Sequence, residues 1–136
     1  PADAPLSFDY NSWGRPLVRW TIDARGDGVL SISEDGVKGQ GDAATLKTVR
    51  FAAGVDGYRE VRRQLAPVER YAGKEIPCTL QITDMPYGAI RWGAVSTAFN
   101  HGCKSPEADT VEDALEAALD RVTEFAKAAE AQQPAR

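Results

Sequence analysis

Twice along this chain, a run in which apolar residues alternate with polar ones gives way to a run in which they recur every third or fourth position. Alternation places successive side chains on opposite faces of a strand, whereas the longer step lays them along one stripe of a helix. Val18, Trp20, Ile22 and Ala24 alternate with Arg19, Thr21 and Asp23. The "ARGDG" that follows carries the glycines a tight reversal needs, and Leu30 and Ile32 resume the alternation over 29–33, so a hairpin is expected. A third strand is expected over 46–53, with Val49 and Phe51 inward and Arg50 outward.

Asp56 is placed to cap a helix whose stripe is Tyr58, Val61, Leu65, Val68 and Ala72. Pro67 cannot donate to the helical ladder and is expected to break it just upstream, with Gly73 ending the element. Alternation returns in Cys78, Leu80 and Ile82 against Thr79, Gln81 and Thr83. After the tight "DMPYG" it continues over 89–94 with Ile90 and Trp92 inward, which reads as a second hairpin. Thr110-Val111-Glu112-Asp113 resembles a capping box and opens a last helix burying Val111, Ala114, Leu115, Ala118, Val122, Phe125 and Ala129. The expected architecture is an α+β two-layer sandwich in the order βββαββα, with about five mostly antiparallel strands covered on one face by two helices.

A chain of 136 residues supports one hydrophobic core, so residues 1–136 are read as a single domain. Residues 1–12, rich in Pro, Ala, Ser and Asp, read as a flexible leader, and 132–136 as a flexible tail. The sequence begins with Pro1 rather than Met, which fits removal of a signal or lipoprotein leader. No apolar run approaches the ~20 residues of a membrane span, so no transmembrane segment is expected. Residues 105–136 carry eight acids against three bases, while residues 1–104 carry twelve against thirteen, within a net charge of −4. That balance offers phosphate backbones no general attraction, and nucleic acid is not an expected partner. Eleven arginines against five lysines, with abundant alanine, suggest a bacterium with GC-rich codons.

The glycine-rich "EDGVKGQGD" over 34–42 matches neither a Walker motif nor a dinucleotide fingerprint, and no cofactor is expected. Arg25-Gly26-Asp27 spells a cell-adhesion tripeptide, but glycines beside charged residues are also what this turn requires.

The only histidine, His101, lies two residues before Cys103 in "FNHGC", and Cys78 is the one other cysteine. One His and two distant Cys make a poor tetrahedral ligand set, so no metal is expected. A Cys103–His101 nucleophile, with Asn100 orienting the ring, would give a cysteine-dependent enzyme. A Cys78–Cys103 disulfide accounts for both sulfurs, and in a chain-entropy treatment a loop of this size stabilises the fold by about 3.5 kcal/mol. Two buried, reduced thiols in a cytoplasmic protein remain as the other account.

Arg59, Arg63 and Arg70 fall opposite the apolar stripe of the first helix, where they are either a solvated face or an anion-binding one. Glu112, Asp113, Glu116, Asp120 and Glu124 do the same on the last helix and read as solubilising charge. Tyr10, Trp13 and Tyr87 sit in a leading segment or beside a turn, where packing demands large rings least, and are candidates for partner contact. The sequence thus points to a periplasmic or secreted binding or inhibitor-like module, stabilised by one disulfide, whose partner is another protein or a small ligand. The alternatives are the cysteine-dependent enzyme and a structural, envelope-associated protein using a charged helix.

Overall fold

The computed structural model describes residues 1–33 and 46–133, so the glycine-rich stretch and the end of the tail lie outside the described residues. The elements are β1 Leu6–Ser12, β2 Arg15–Ile22, β3 Asp27–Ser33, β4 Leu46–Ala52, α1 Gly54–Gln64, α2 Ala66–Glu69, β5 Leu80–Gln81, β6 Tyr87–Trp92, β7 Val95–Asn100, β8 Cys103–Lys104 and α3 Pro106–Ala131. Six strands form one antiparallel sheet in the order β4-β3-β2-β1-β6-β7, while β5 and β8 pair separately. The fold is α+β. Its main core lies between one sheet face and the helices, where Leu6, Phe8, Trp20, Ile22 and Ile90 meet Val61, Leu65, Val68, Val111, Leu115 and Val122.

The expected leader is the first departure. Residues 6–12 form β1, the strand between β2 and β6, with Leu6 and Phe8 buried and Tyr10 packed against the core. Leu6, Phe8 and Tyr10 alternate with Ser7, Asp9 and Asn11. That period of two is the physical cause, and it outweighs the Pro-Ala-Asp composition just before it. Trp13 and Gly14 then turn the chain with φ of 53° and 74°, the double left-handed geometry of a tight hairpin.

The second expected hairpin is also rearranged. β6 pairs with β7 across a turn at 93–94, not with residues 78–83. With β1 on its other side, β6 has no free edge, so 78–83 is left with a two-residue pairing to β8. Leu80 and Ile82, expected inward, are 59% and 42% exposed.

The helices begin elsewhere than the capping signals indicate. α1 starts at Gly54 with Asp56 inside its first turn. α3 is capped by Ser105, whose Oγ accepts from Ala108 N at 2.9 Å, because Pro106 fits the first helical position. The break before Pro67 occurs as expected, between α1 and α2. Phe125 and Ala129 pack at the core's margin, half-buried.

Candidate functional site

Cys78 and Cys103 are joined by a disulfide, with Cα atoms 5.3 Å apart. The bridge fastens a strap, residues 74–86, across the end of β7. Thr79 N donates to Lys104 O (3.1 Å), Ile82 N to Gly102 O (2.7 Å), and His101 N to Pro86 O (2.9 Å). Ser105 Oγ, the cap of α3, also donates to Pro77 O at 2.7 Å. Gly102 is needed for this approach, since a Cβ there would stand 1.9 Å from Ile82 O. Thus the "HGC" corner is shaped by the backbone it must touch.

The bridge removes both sulfurs from the other readings. Cys103 has no thiolate to offer a nucleophile, and a zinc site would lose two of its three expected ligands. Asn100 does not orient the imidazole; its Oδ1 accepts from Gly102 N at 2.7 Å. The partner of His101 is Glu112, with Nδ1 3.0 Å from Oε1. A carboxylate only accepts, so this contact calls for the tautomer protonated at Nδ1 and leaves Nε2 as the second polar atom of the ring.

Around that pair the walls are aromatic. The His101 ring centroid lies 5.2 Å from that of Tyr10 and 5.6 Å from that of Phe99. Burial, and then the negative charge of Glu112, hold the Tyr10 phenol above its ordinary pKa, so its hydroxyl stays protonated. A cleft of about 420 Å³ runs from the strap to the first turns of α3, lined by the disulfide, Lys74, Gln81, Tyr87, His101 and Glu112. A smaller hollow of about 260 Å³, lined by Phe8, Tyr10 and Leu115, shares His101, Phe99 and Glu112 with it. Aromatic surface, a fixed carboxylate and an oriented imidazole can hold an apolar ligand body by packing and its polar head by hydrogen bonds.

The expected contact residues are divided by the fold. Tyr87 lines the cleft, and its hydroxyl accepts from Gly14 N at 3.1 Å, which sets the neighbouring Trp13, 74% exposed, at the hairpin tip beside it. Tyr10 lies with His101 on the helix side of the sheet. Arg59 and Arg63 line a separate groove sharing no residue with the cleft. The Arg25-Gly26-Asp27 turn is folded on itself, with Asp23 Oδ1 accepting from Arg25 N and Asp27 N and the Arg25 Nε 3.8 Å from Asp27 Oδ2.

Glu112 and Phe99 were not singled out by sequence reasoning as site residues. Nothing in their spacing ties residue 112 to residue 101. The available signal was that a lone histidine at a corner needs a polar partner, and the helix after that corner begins with acids. Comparison with protein families, with curated proteins and with solved structures finds no match for this chain.

Proposed function

We propose that the protein is a small binding module of an oxidising compartment, periplasmic or secreted, and that its ligand enters the cleft between the bridged strap and α3. One observation carries the reading: both bridged cysteines line the same cleft as His101 and Glu112. The bond that stabilises the fold therefore also sets the shape of the site. Disulfides persist where the surroundings are oxidising, which supports export. The ligand class follows from the walls: a small molecule, or a partner protein's side chain, with an aromatic or aliphatic body and a cationic or hydrogen-bond-donating head directed at Glu112. An inhibitor-like role is the form this takes when the ligand is a protein side chain.

Phenethylamine has that chemistry and serves as the probe. Added to the oxidised protein, it is expected to give saturable amide shifts at Asn100, His101 and Glu112, with a Kd on the order of 1 mM, as befits a small fragment. Non-saturating shifts scattered over the surface would overturn the site. For the compartment, protein from its own host, unfolded with iodoacetamide and no reductant, should carry no alkylated cysteine. Two alkylated cysteines would overturn the export reading and leave the cleft test standing.

A further inference from the structure

The break between α1 and α2 creates a second concavity, and its charges are distributed unevenly. Arg59 and Arg63 sit one turn apart on α1, and Arg70, just past the break at Leu65, lines the same groove, a depression of about 570 Å³ also lined by Tyr58, Ala66 and Ala2. Of the acids close by in sequence, Glu69 and Glu60 are already committed, whereas Asp56 in the first turn of α1 forms no ion pair among the described residues. Glu69 accepts both Nε and Nη2 of Arg62 at 3.2 and 3.1 Å, and Glu60 accepts Arg121 Nε of α3 at 2.7 Å. Arg62 is further fixed by donating to Pro1 O and to the Tyr58 hydroxyl. Its guanidinium braces the groove and does not face outward as a free charge.

Arg59 and Arg63 are exposed and carry no ion pair among the described residues; Arg70 stacks 5.3 Å over the Tyr71 ring and likewise keeps its charge unpaired. Three forks outside any ion pair thus line one concavity of a protein whose net charge is −4, with Arg63 also within electrostatic reach of Glu60. On the open sheet face Arg91 pairs with Asp9 at 2.7 Å, while Arg19 and Arg50 are exposed and, among the described residues, carry no ion pair and line no groove with each other.

We propose that this groove binds a phosphoryl group. A carboxylate has two oxygens and is satisfied by one guanidinium fork. Three forks call for a group with at least three acceptor oxygens and more than one negative charge. A soluble phosphate compound and the headgroup of an anionic phospholipid both present that group, and the experiment separates them.

The oxidised, full chain is titrated with inorganic pyrophosphate while amide shifts are followed, and in parallel is floated with phosphatidylcholine vesicles with and without phosphatidylglycerol. Saturable shifts at Arg59, Arg63 and Arg70 with pyrophosphate alone assign a soluble ligand; flotation only with phosphatidylglycerol assigns the lipid headgroup. Arg59→Gln with Arg63→Gln should weaken whichever binding is seen by about tenfold or more, since charge-assisted hydrogen bonds are lost. Lysine at both positions, which keeps charge and loses the fork, should fall between. Arg19→Gln with Arg50→Gln removes the same charge from the open sheet face and should leave binding within about twofold, because distant exposed charges are screened. Equal weakening by the two glutamine pairs, or no saturable response to either probe, overturns the proposal. All the substituted residues are exposed, so the variants should melt with the parent, and the phenethylamine response at the cleft reports separately that the rest of the molecule is intact.

Discussion

Residues 6–12 and residues 78–83 exchange the roles their sequences suggest. The first looks like a tether and becomes β1, held between two strands with Leu6 fully buried. The second alternates as regularly and becomes a strap with two paired residues and exposed Leu80 and Ile82. Alternation makes a segment able to be a strand; an unfilled sheet edge and a covering layer decide whether it is a core strand. β1 fills the edge of β6 that 78–83 would otherwise take. What remains for 78–83 is an attachment that a core strand does not need, a covalent bond.

The largest expected effect lies on the β1 side. Phe8 stacks on Trp20 and Phe99, with centroids 5.8 and 5.6 Å away, and is 5% exposed. Phe8→Ala should cost about 3–5 kcal/mol in urea unfolding through lost transfer energy and the cavity left behind. Leu80→Ala in the strap should change stability by less than about 0.5 kcal/mol. Similar losses for the two would break the comparison.

The bridge comes next. Reduction, or serine at both Cys78 and Cys103, should cost up to about 3.5 kcal/mol by releasing a closure of 25 residues in the unfolded chain. Locally it should free the amides of Thr79 and Ile82, whose acceptors are Lys104 and Gly102, to exchange by strap opening. Amides of β1 should still exchange only on global unfolding. If β1 loses protection together with the strap, the two regions are one cooperative unit. A smaller and purely local test is Gly102→Ala, expected to cost about 1–3 kcal/mol because the new Cβ meets the Ile82 carbonyl.

These contrasts also show which parts were legible in the sequence. Strands β2, β3 and β4, the apolar stripes of α1 and α3, the break at Pro67 and the disulfide pairing are set by local pattern and by a count of two cysteines, which a single chain displays directly. The order of strands in the sheet is not local: it depends on whether 6–12 or 78–83 reaches β6, and each segment looks acceptable when read alone. The His101–Glu112 pair fails for the same reason, since it forms only after β7, the corner and α3 are assembled. Ser105 as the cap of α3 was readable, because Ser-Pro is a common entry to a helix, but the box-like Thr110 to Asp113 resembled a start and masked it. Thr110 instead donates its hydroxyl back to Pro106 O inside the first turns of that helix.

The smallest effect distinguishes the two regions by charge. Glu60 of α1 and Arg121 of α3 clamp the helix layer, whereas no ion pair reaches residues 74–86 among the described residues. The Arg121 guanidinium, donating to the Glu60 carboxylate, holds that carboxyl below its usual range against the opposing effect of burial. A carboxyl whose folded pKa is depressed gives stability that is fully present above its unfolded pKa of about 4.3 and is lost as pH falls through the lower folded value. The pair therefore weakens the sandwich only in acid, below about pH 4. Both side chains are one-third exposed, so solvent screening limits the effect to at most about 1 kcal/mol. Glu60→Gln should remove that acid-limb slope from the stability-versus-pH curve and leave exchange at Ile82 unchanged at every pH, because strap opening does not involve the helix clamp. A strap amide that follows the Glu60 titration would mean that the bridge and the helix layer open together, and the distinction between a strand held by packing and a strap held by a bond would not stand.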